Sequence, residues 1–323
     1  MKHKILAATA ASLAGAHLAL SAFAFYEVLN RNAKIPGKVN TLMKKSSDKK
    51  PSEPKPVDER VEWMHEQDFI KYEMTNSRGQ KLAGHYLPAD KPTDRFVLGS
   101  HGYRNRGKGE FRFITKFYHD SGFNVLLVDH VASGDSEGEY ITFGYQESTD
   151  MLEWVEFMKK EFGNDIQIVL HGFSMGSATV TMMSKEKALL PNVKFIVADC
   201  GFTTVPEQFT NVLKSYHVPA YLLIATVDLI CRIGQGYSIK KISPLDDVRS
   251  AVIPMLFVHG KGDTFVNFDM VYRLYDACPA EKDILTVEGA GHTQSYVKDT
   301  AAYEQKLIEF TNKYMKTNME TEK

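Results

Sequence analysis

The sequence predicts an α/β fold in which a mostly parallel central sheet carries helices on both faces. Two observations predict it: from residue 68 the chain starts with two adjacent strand patterns, and short apolar runs then alternate with helical patterns. Strands are expected at 68–75, 81–87, 95–100, 124–129, 166–171, 193–198, 253–258 and 283–288. Helices are expected at 109–121, 145–162, 175–187, 267–276 and 300–315.

The N-terminal segment differs from the rest of the chain. Lys2 and Lys4 precede an apolar run from Ile5 to Tyr26, which at about 22 residues is long enough to span a bilayer. Ala22-Phe23-Ala24 resembles a signal-peptidase site, but a cleavable apolar region usually has only about 7–15 residues. Residues 1–30 are therefore expected to be a membrane anchor or signal-like segment that is not cleaved.

The side of the membrane is indicated less directly. Basic residues after the apolar run favour a cytoplasmic catalytic domain, whereas the short basic N-terminal tail favours export of the domain C-terminal to the run. We expect the catalytic domain to be extracytoplasmic. Residues 31–64 are expected to form a linker, because residues 44–60 are rich in Lys, Ser and Pro.

A long insertion divides the predicted core. About 50 residues separate the strand that ends at Asp199 from the strand that begins at Ile253, which is too many for a plain connection. We expect a core of residues 65–202 and 250–323. Residues 203–249 are expected to form a helical cap over the site and to line its pocket.

The segment Gly172-Phe173-Ser174-Met175-Gly176 reads G-x-S-x-G. It follows the apolar run at 166–170 and precedes a run of small residues, so the order is strand, sharp turn, helix. A serine at such a turn is held in a strained backbone conformation, with its hydroxyl above the sheet. Ser174 is the candidate nucleophile.

A serine hydroxyl needs a histidine to take its proton and an acid to orient that histidine. After Ser174, the apolar runs at 253–258 and 283–288 each lead into a Gly-rich turn, the first with Asp263 and the second with His292. The order Ser, Asp, His is the one this architecture requires. Asp199, at the end of an earlier strand, is a rival acid that we interpret as structural.

An oxyanion hole needs backbone N–H donors. We expect one from Met175, after the nucleophile, and one from Tyr103, in the loop after the strand at 95–100. His101 is interpreted as a packed, hydrogen-bonded loop residue. Arg104, Arg106 and Lys108, in and just after the same loop, raise the hypothesis that the protein binds an acidic group of its substrate. We favour the interpretation that these three charged side chains are simply solvated.

These segments resemble the α/β-hydrolase superfamily over residues 65–315. More narrowly, they are similar to the bacterial serine hydrolases of the serine aminopeptidase and prolyl-oligopeptidase-like branches. The resemblance also includes residues 129–138, which match the pattern D-x-R-G-x-G-x-S-x-G except at Val131 and Ala132, where Arg and Gly are usual. That arginine supports loop structure, so the departure affects loop rigidity. The family implies esterase, lipase, thioesterase or peptidase chemistry without a cofactor.

Composition excludes other classes. A net charge of −1 gives no indication of nucleic-acid binding. The three cysteines, Cys200, Cys231 and Cys278, are too few and too scattered for a disulfide framework or a zinc site. We expect no metal, and the expected partners are a small or lipid-like acyl ester and, through the N-terminal segment, a membrane.

The preferred function is hydrolysis of carboxylic or thio esters. A peptidase stays open as the alternative, because the insertion carries acidic residues that could bind a peptide amino terminus: Glu207, Asp228, Asp246 and Asp247. An acyltransferase differs only in excluding water. A non-catalytic receptor is disfavoured by the complete triad, and Ser174 at the elbow argues against epoxide hydrolase or dehalogenase chemistry, which needs a carboxylate there.

Overall fold

The computed structural model describes residues 2–33, 58–214 and 220–316. Eight strands form one sheet in the order β1-β2-β4-β3-β5-β6-β7-β8. Their bounds are β1 Ile70–Thr75, β2 Lys81–Leu87, β3 Arg95–Ser100, β4 Asn124–Val128, β5 Gln167–Phe173, β6 Val193–Asp199, β7 Met255–Gly260 and β8 Lys282–Val287. β2 pairs antiparallel with both β1 and β4, and all other neighbouring strands are parallel. The predicted mostly parallel sheet is confirmed.

Helices cover both faces of this sheet, as predicted. Their bounds are α1 Lys2–Leu29, α2 Glu59–His65, α3 Gly107–Phe111, α4 Thr115–Asp120, α5 Tyr145–Phe162, α6 Met175–Met183, α7 Val205–Lys214, α8 Ala220–Gly234, α9 Pro244–Val248, α10 Asp269–Ala277, α11 Ser295–Lys298 and α12 Thr300–Tyr314. Helices α5, α6 and α10 bury their apolar side chains against one face, and α4 and α12 against the other.

The central strands are buried on both faces. In β3, Phe96 and Leu98 contact one apolar cluster and Val97 contacts the other, because successive side chains of a strand point to opposite faces. Such strands are continuously apolar in sequence. β3 lies between β4 and β5, so the chain order reverses there. The loops after β3 and β5 therefore border a crevice at the carboxyl ends of the strands, the usual ligand position in open α/β sheets.

Two segments differ from the expected elements. The single helix expected at 109–121 is two helices, α3 and α4, because the Thr115 hydroxyl donates to the Phe111 carbonyl at 2.8 Å, a local bond that competes with the helical ladder. The interval 31–64 contains α2, whose first turn is capped by Asp58, which accepts from the Arg60 amide. Most of the expected linker, residues 34–57, lies outside the described residues.

The insertion between β6 and β7 contains α7, α8, a 3₁₀ turn at Ile239–Lys241 and α9. Helix α1 packs against α8, and His17 Nε2 lies 2.8 Å from Thr226 Oγ1 in that helix. Apolar side chains of α1, α7 and α8 form a third cluster. In the part of the chain that the structure describes, no single helix has the length and apolarity of a membrane span. The segments 220–234 and 239–248 reach that length and apolarity only when taken together, and the chain bends by 107° between them.

We expect Gly176→Ala to lower the free energy of unfolding by about 3 kcal/mol or more. A Cβ atom at Gly176 would lie 2.0 Å from the carbonyl oxygen of Ser100, and rigid backbone cannot give way. Gly234→Ala is the control, because a Cβ atom there would have no heavy atom within 4 Å. It should not destabilise the protein, since alanine favours a helix more than glycine does. Urea unfolding measures both; equal stabilities of the two variants would contradict the close-approach argument.

Candidate active site

Ser174 lies at the junction of β5 and α6, in a backbone conformation that few L-residues adopt. Its φ is +54° and its ψ is −112°. A Cβ atom at Gly172 would lie 2.2 Å from the carbonyl oxygen of Gly176, so the turn closes only with glycine at this position. The Ser174 amide donates to the Asp199 carbonyl at 2.9 Å, which fixes the turn to the end of β6.

The three residues expected to form a triad lie together. His292 Nε2 is 2.8 Å from Ser174 Oγ, and His292 Nδ1 is 2.7 Å from Asp263 Oδ2. All three side chains are more than nine-tenths buried. Asp263 follows β7 and His292 follows β8, so neighbouring strands deliver them at the same edge of the sheet. This arrangement can take a proton from the serine hydroxyl and hold the resulting imidazolium.

Asp263 is held by groups that sequence reasoning did not assign. Its Oδ1 accepts from the amides of Phe265 and Val266 at 2.8 and 3.0 Å. His259 Nε2 lies 3.2 Å from its Oδ2. The only signal for His259 in the sequence is its place in the Gly-rich segment that contains Asp263.

The pKa values of the pair move apart. Burial would lower the pKa of His292, but the Asp263 carboxylate outweighs this and raises it above its ordinary value of 6.5. Burial would raise the pKa of Asp263, but His292 and His259 hold it well below its usual range. Asp263 is therefore ionised at neutral pH and stabilises a proton on His292.

The loop after β3 brings Tyr103 next to Ser174 and Met175, and all three line one cavity. Gly102, before Tyr103, donates its amide to Glu110 Oε2 at 3.0 Å. His101 is fully buried, and its Nε2 accepts from the His130 amide at 3.0 Å. Glu110, in α3, is a loop anchor that the sequence did not reveal, since its contact depends on how α3 folds back on the loop.

Asp199 makes its side-chain hydrogen bond to a different partner. The Tyr303 hydroxyl donates to Asp199 Oδ2 at 3.0 Å, and the same hydroxyl lies 3.1 Å from His171 Nε2. Burial raises the pKa of Asp199 to about 7, although the Tyr303 bond opposes this. The contacts thus support the interpretation of Asp199 as a structural residue.

An apolar cavity of about 150 Å³ ends at Ser174. Its walls come from α1, the loop after β3, the insertion and the loop after β7. The lining residues are Ala24, Val28, Tyr103, Phe143, Ser174, Met175, Phe202, Gln208, Phe209, Val212, Leu213, Leu223, Ile224, Val227, Phe265 and Val266. Among these described residues none is charged, so the cavity suits an apolar group.

The basic residues in and just after the loop that follows β3 do not line this cavity. Arg104 is half-buried and engaged, because its guanidinium donates to three backbone carbonyls in and just after the last turn of α1. Lys108 places its ammonium 5.3 Å from the ring centre of Phe69, and Arg106 is exposed. The acidic-substrate hypothesis therefore has no support at Arg104.

A second arginine supports the loop in which Val131 and Ala132 depart from the family pattern. Arg31 donates to the carbonyls of Ser136, Gly134 and Gly138 at 2.6, 2.9 and 3.3 Å. Ala132 has a φ of +60°, in the region that favours the glycine usual at this place. A guanidinium from the end of α1 thus braces this loop, which lacks the arginine usual in the family.

Two clusters of potential metal ligands occur in the described residues. Cys200 joins Asp263 and His292, and His85 joins Asp129 and Asp135. In the first cluster, burial raises the pKa of the Cys200 thiol well above its usual value, and His292 already bonds Asp263 and Ser174. In the second, Asp129 accepts from the amides of Gly107 and Asp135 and so orders loops.

Comparison with known proteins identifies the family. The prolyl oligopeptidase family matches residues 110–318, more than half of the chain. The chain belongs to the prolyl oligopeptidase family. The uncharacterized protein YqkD of Bacillus subtilis is 28% identical over 79% of this chain and 82% of that protein. Alpha/beta hydrolase domain-containing protein 17C of Xenopus tropicalis is 30% identical over 79% of this chain and 74% of that protein.

Solved structures show the same fold. An esterase of Pyrococcus furiosus superimposes with a TM-score of 0.64 at 21% identity, over 83% of this chain and 99% of that one. An acylaminoacyl peptidase of Pyrococcus horikoshii has a TM-score of 0.59 at 16% identity, over 82% of this chain and 45% of that one. The protein is an α/β hydrolase.

We expect the acid limb of the activity profile to have its midpoint above 6.5, because proton uptake by His292 at low pH removes the base and its pKa is raised. Asp263→Asn should move this midpoint down and lower the plateau rate about 10³–10⁴-fold. The measurement is kcat/KM for an aryl ester against pH. Asp199→Asn is the control and should cost less than about tenfold; a greater loss there than in Asp263→Asn would reverse the assignment.

Proposed function

We propose that the protein is a serine hydrolase that cleaves carboxylic or thio esters of apolar acids through an acyl-enzyme intermediate. The observation that carries the proposal is the uncharged cavity of about 150 Å³ that ends at Ser174. An apolar cavity of roughly that size holds a benzene ring. We therefore expect an acyl group of about six carbons to fit it well.

In the first half of the proposed reaction, His292 Nε2 takes the hydroxyl proton as Ser174 Oγ attacks the acyl carbon. The hydrogen bond at 2.8 Å between these atoms supports this transfer. Negative charge then develops on the carbonyl oxygen, where the amides of Tyr103 and Met175 would donate. His292 returns the proton to the leaving alcohol or thiol, the C–O or C–S bond breaks, and the acyl group stays on Ser174.

In the second half, water takes the place of the leaving group. His292 accepts a proton from the water as its oxygen attacks the acyl carbon, and the proton passes to Ser174 Oγ as the enzyme is released. Asp263 stays ionised throughout, which its lowered pKa supports. The acid product carries the oxygen of water.

The acidic residues of the insertion favour an ester over a peptide with a free amino terminus. Glu207 pairs with Arg273 at 2.6 Å, and Asp228 accepts from the Ser238 hydroxyl at 2.6 Å. Asp247 pairs with Lys185 at 2.5 Å. These three carboxylates are engaged elsewhere, Asp246 is exposed, and none of the four lines the cavity.

A peptidase is the second candidate, and membership of the prolyl oligopeptidase family supports it. The same groups would act, with an amine as the leaving group. An acyltransferase would use the same acyl-enzyme with an alcohol or thiol in place of water.

We expect the full-length protein to hydrolyse aryl esters with an optimum near six to eight acyl carbons. Aryl esters of two to sixteen carbons are assayed beside aminoacyl and prolyl arylamides. Ser174→Ala should lose at least about 10³-fold in kcat/KM. Ser177→Ala, which removes a buried hydroxyl three residues further along, is the control and should retain activity.

The outcomes of that assay separate the candidates. Arylamide turnover that depends on Ser174, with poor ester turnover, would replace the esterase proposal by the peptidase. Transfer of the acyl group to an added alcohol in preference to water would replace it by the acyltransferase. A folded protein inactive on the whole panel would contradict all three.

We also propose that the protein associates with a lipid membrane through α1 and α8, with the catalytic domain outside the cytoplasm. The sequence of α1 is apolar around most of the helix circumference, and within residues 14–29, whose side chains are described, one side packs on the enzyme. Among the described side chains of the two helices, eight large apolar ones are exposed: Leu18, Leu20, Phe23, Tyr26, Tyr221, Leu222, Leu229 and Ile233. The sequence places basic residues in the first turn of α1, Lys2 and Lys4, and after its end, Arg31 and Lys34, and these would suit anionic headgroups.

We expect the full-length protein to float with phosphatidylglycerol vesicles in a density gradient. Leu20→Ser with Phe23→Ser should weaken this partition at least about tenfold, because both side chains leave water when they bind lipid. Ile70→Ser with Ile308→Ser is the control, since these residues have similar exposure, 49% and 48%, elsewhere on the surface. No flotation, or equal flotation of both double variants, would contradict the proposed face.

A further inference from the structure

Helix α1 contributes to the cavity although it lies outside the family match at 110–318. Ala24 and Val28, one turn apart in α1, line the cavity together with Ser174. Both are half-buried, whereas Ala22 and Phe23 on the same helix are exposed. One side of the helix therefore faces the catalytic serine and the other faces outward.

Hydrogen bonds join the end of α1 to the loop after β3, which contains Tyr103 and Arg104. Arg104 donates to the carbonyls of Glu27 at 2.7 Å, Asn30 at 2.9 Å and Ala33. The Tyr103 hydroxyl donates to the Val28 carbonyl at 2.6 Å. The last carbonyls of a helix have no partner within the helix, so a guanidinium with several donors stabilises them well. Arg104 has a φ of +55°, a left-handed conformation that is unfavourable for an L-residue, and these bonds offset its cost.

The other side of the helix end is fastened to the loop that leads into α5. The Ile141 amide donates to the Leu29 carbonyl and the Arg31 amide donates to the Glu139 carbonyl, each at 2.8 Å. Two residues after Ile141, Phe143 stacks on Tyr103 with ring centres 5.2 Å apart. Phe143, Tyr103 and the end of α1 thus form one continuous wall of the cavity.

From these contacts we propose that the last two turns of α1 are a specificity-determining part of the active site. Ala24 and Val28 limit the length and width of the acyl group, and Arg104 is a positioning residue that ties this wall to Tyr103, an oxyanion donor. The inference rests on the proposed ester hydrolysis. It adds that acyl selectivity is set by residues near the N-terminus as well as by the insertion.

The test compares Ala24→Trp with Ala22→Trp in the full-length protein, over the ester series. Ala24→Trp places a large ring in the cavity and should lower kcat/KM for six- to eight-carbon esters at least about tenfold, with less than about threefold loss on the acetyl ester. Ala22→Trp puts the same ring on the exposed side and should leave the profile unchanged. The acetyl ester also reports that each variant is folded.

A second pair of variants tests the positioning role. Arg104→Lys keeps the charge but loses the planar, spread donors with which the guanidinium joins these carbonyls, so kcat should fall about tenfold on every ester while KM for the acetyl ester changes little. Arg106→Lys, at an exposed position two residues later, should behave as the wild type. If Arg104 only stabilised the fold, Arg104→Lys would lower the melting temperature, and kcat measured below that temperature would be unchanged.

The results separate the two proposals. Absence of any Ser174-dependent ester turnover in the wild type would contradict the proposed function itself. Ester turnover with one chain-length profile in the wild type, Ala24→Trp and Ala22→Trp would leave the esterase standing and overturn the role of α1. An unchanged kcat in Arg104→Lys would overturn the positioning role alone.

Discussion

The architecture of the site depends on the close approach of backbone to backbone around Ser174. With φ at +54°, the chain leaves β5 and enters α6 within one residue, and Gly172 and Gly176 meet carbonyl groups where a Cβ atom would clash. Because α6 then lies directly over the end of β3, the loop after β3 is brought against the serine. The strain at one residue is maintained by the buried sheet on either side.

Buried carboxylates near His292 differ in environment, and this difference gives them different roles. Asp263 accepts hydrogen bonds from two backbone amides, and its two histidine neighbours lower its pKa, so it stays ionised. Asp199 receives one tyrosine hydroxyl, and burial raises its pKa to about 7. The Tyr303 hydroxyl also lies within hydrogen-bond distance of His171. Burial lowers the pKa of His171 to about 3. The same side-chain type thus serves as the triad acid at one strand end and as a packed polar group at the next.

The sequence was sufficient to predict all eight strands. The central ones are buried on both faces and therefore form continuous apolar runs, whereas the edge strand β1 is mostly exposed. The sequence was also sufficient to nominate Ser174, Asp263 and His292, since parallel strands deliver their ends to one edge. It did not reveal Glu110, His259 or the part played by Arg104. The Arg104 contacts join segments more than 70 residues apart, and the contacts of Glu110 and His259 depend on how short segments fold back on their own neighbours. Neither kind of contact leaves a periodic pattern in the sequence.

The position of Ala24 has a consequence for proteolysis. The sequence Ala22-Phe23-Ala24 resembles a signal-peptidase site, and Ala24 and Val28 line the cavity. A protease that cut after Ala24 would remove one wall residue and make Val28 the fourth residue of a chain with a new, charged amino terminus. Such a cut would remove Leu18, Leu20 and Phe23 from the proposed lipid-binding face and change the substrate range in a single event, so membrane affinity and selectivity would depend on the same peptide bond.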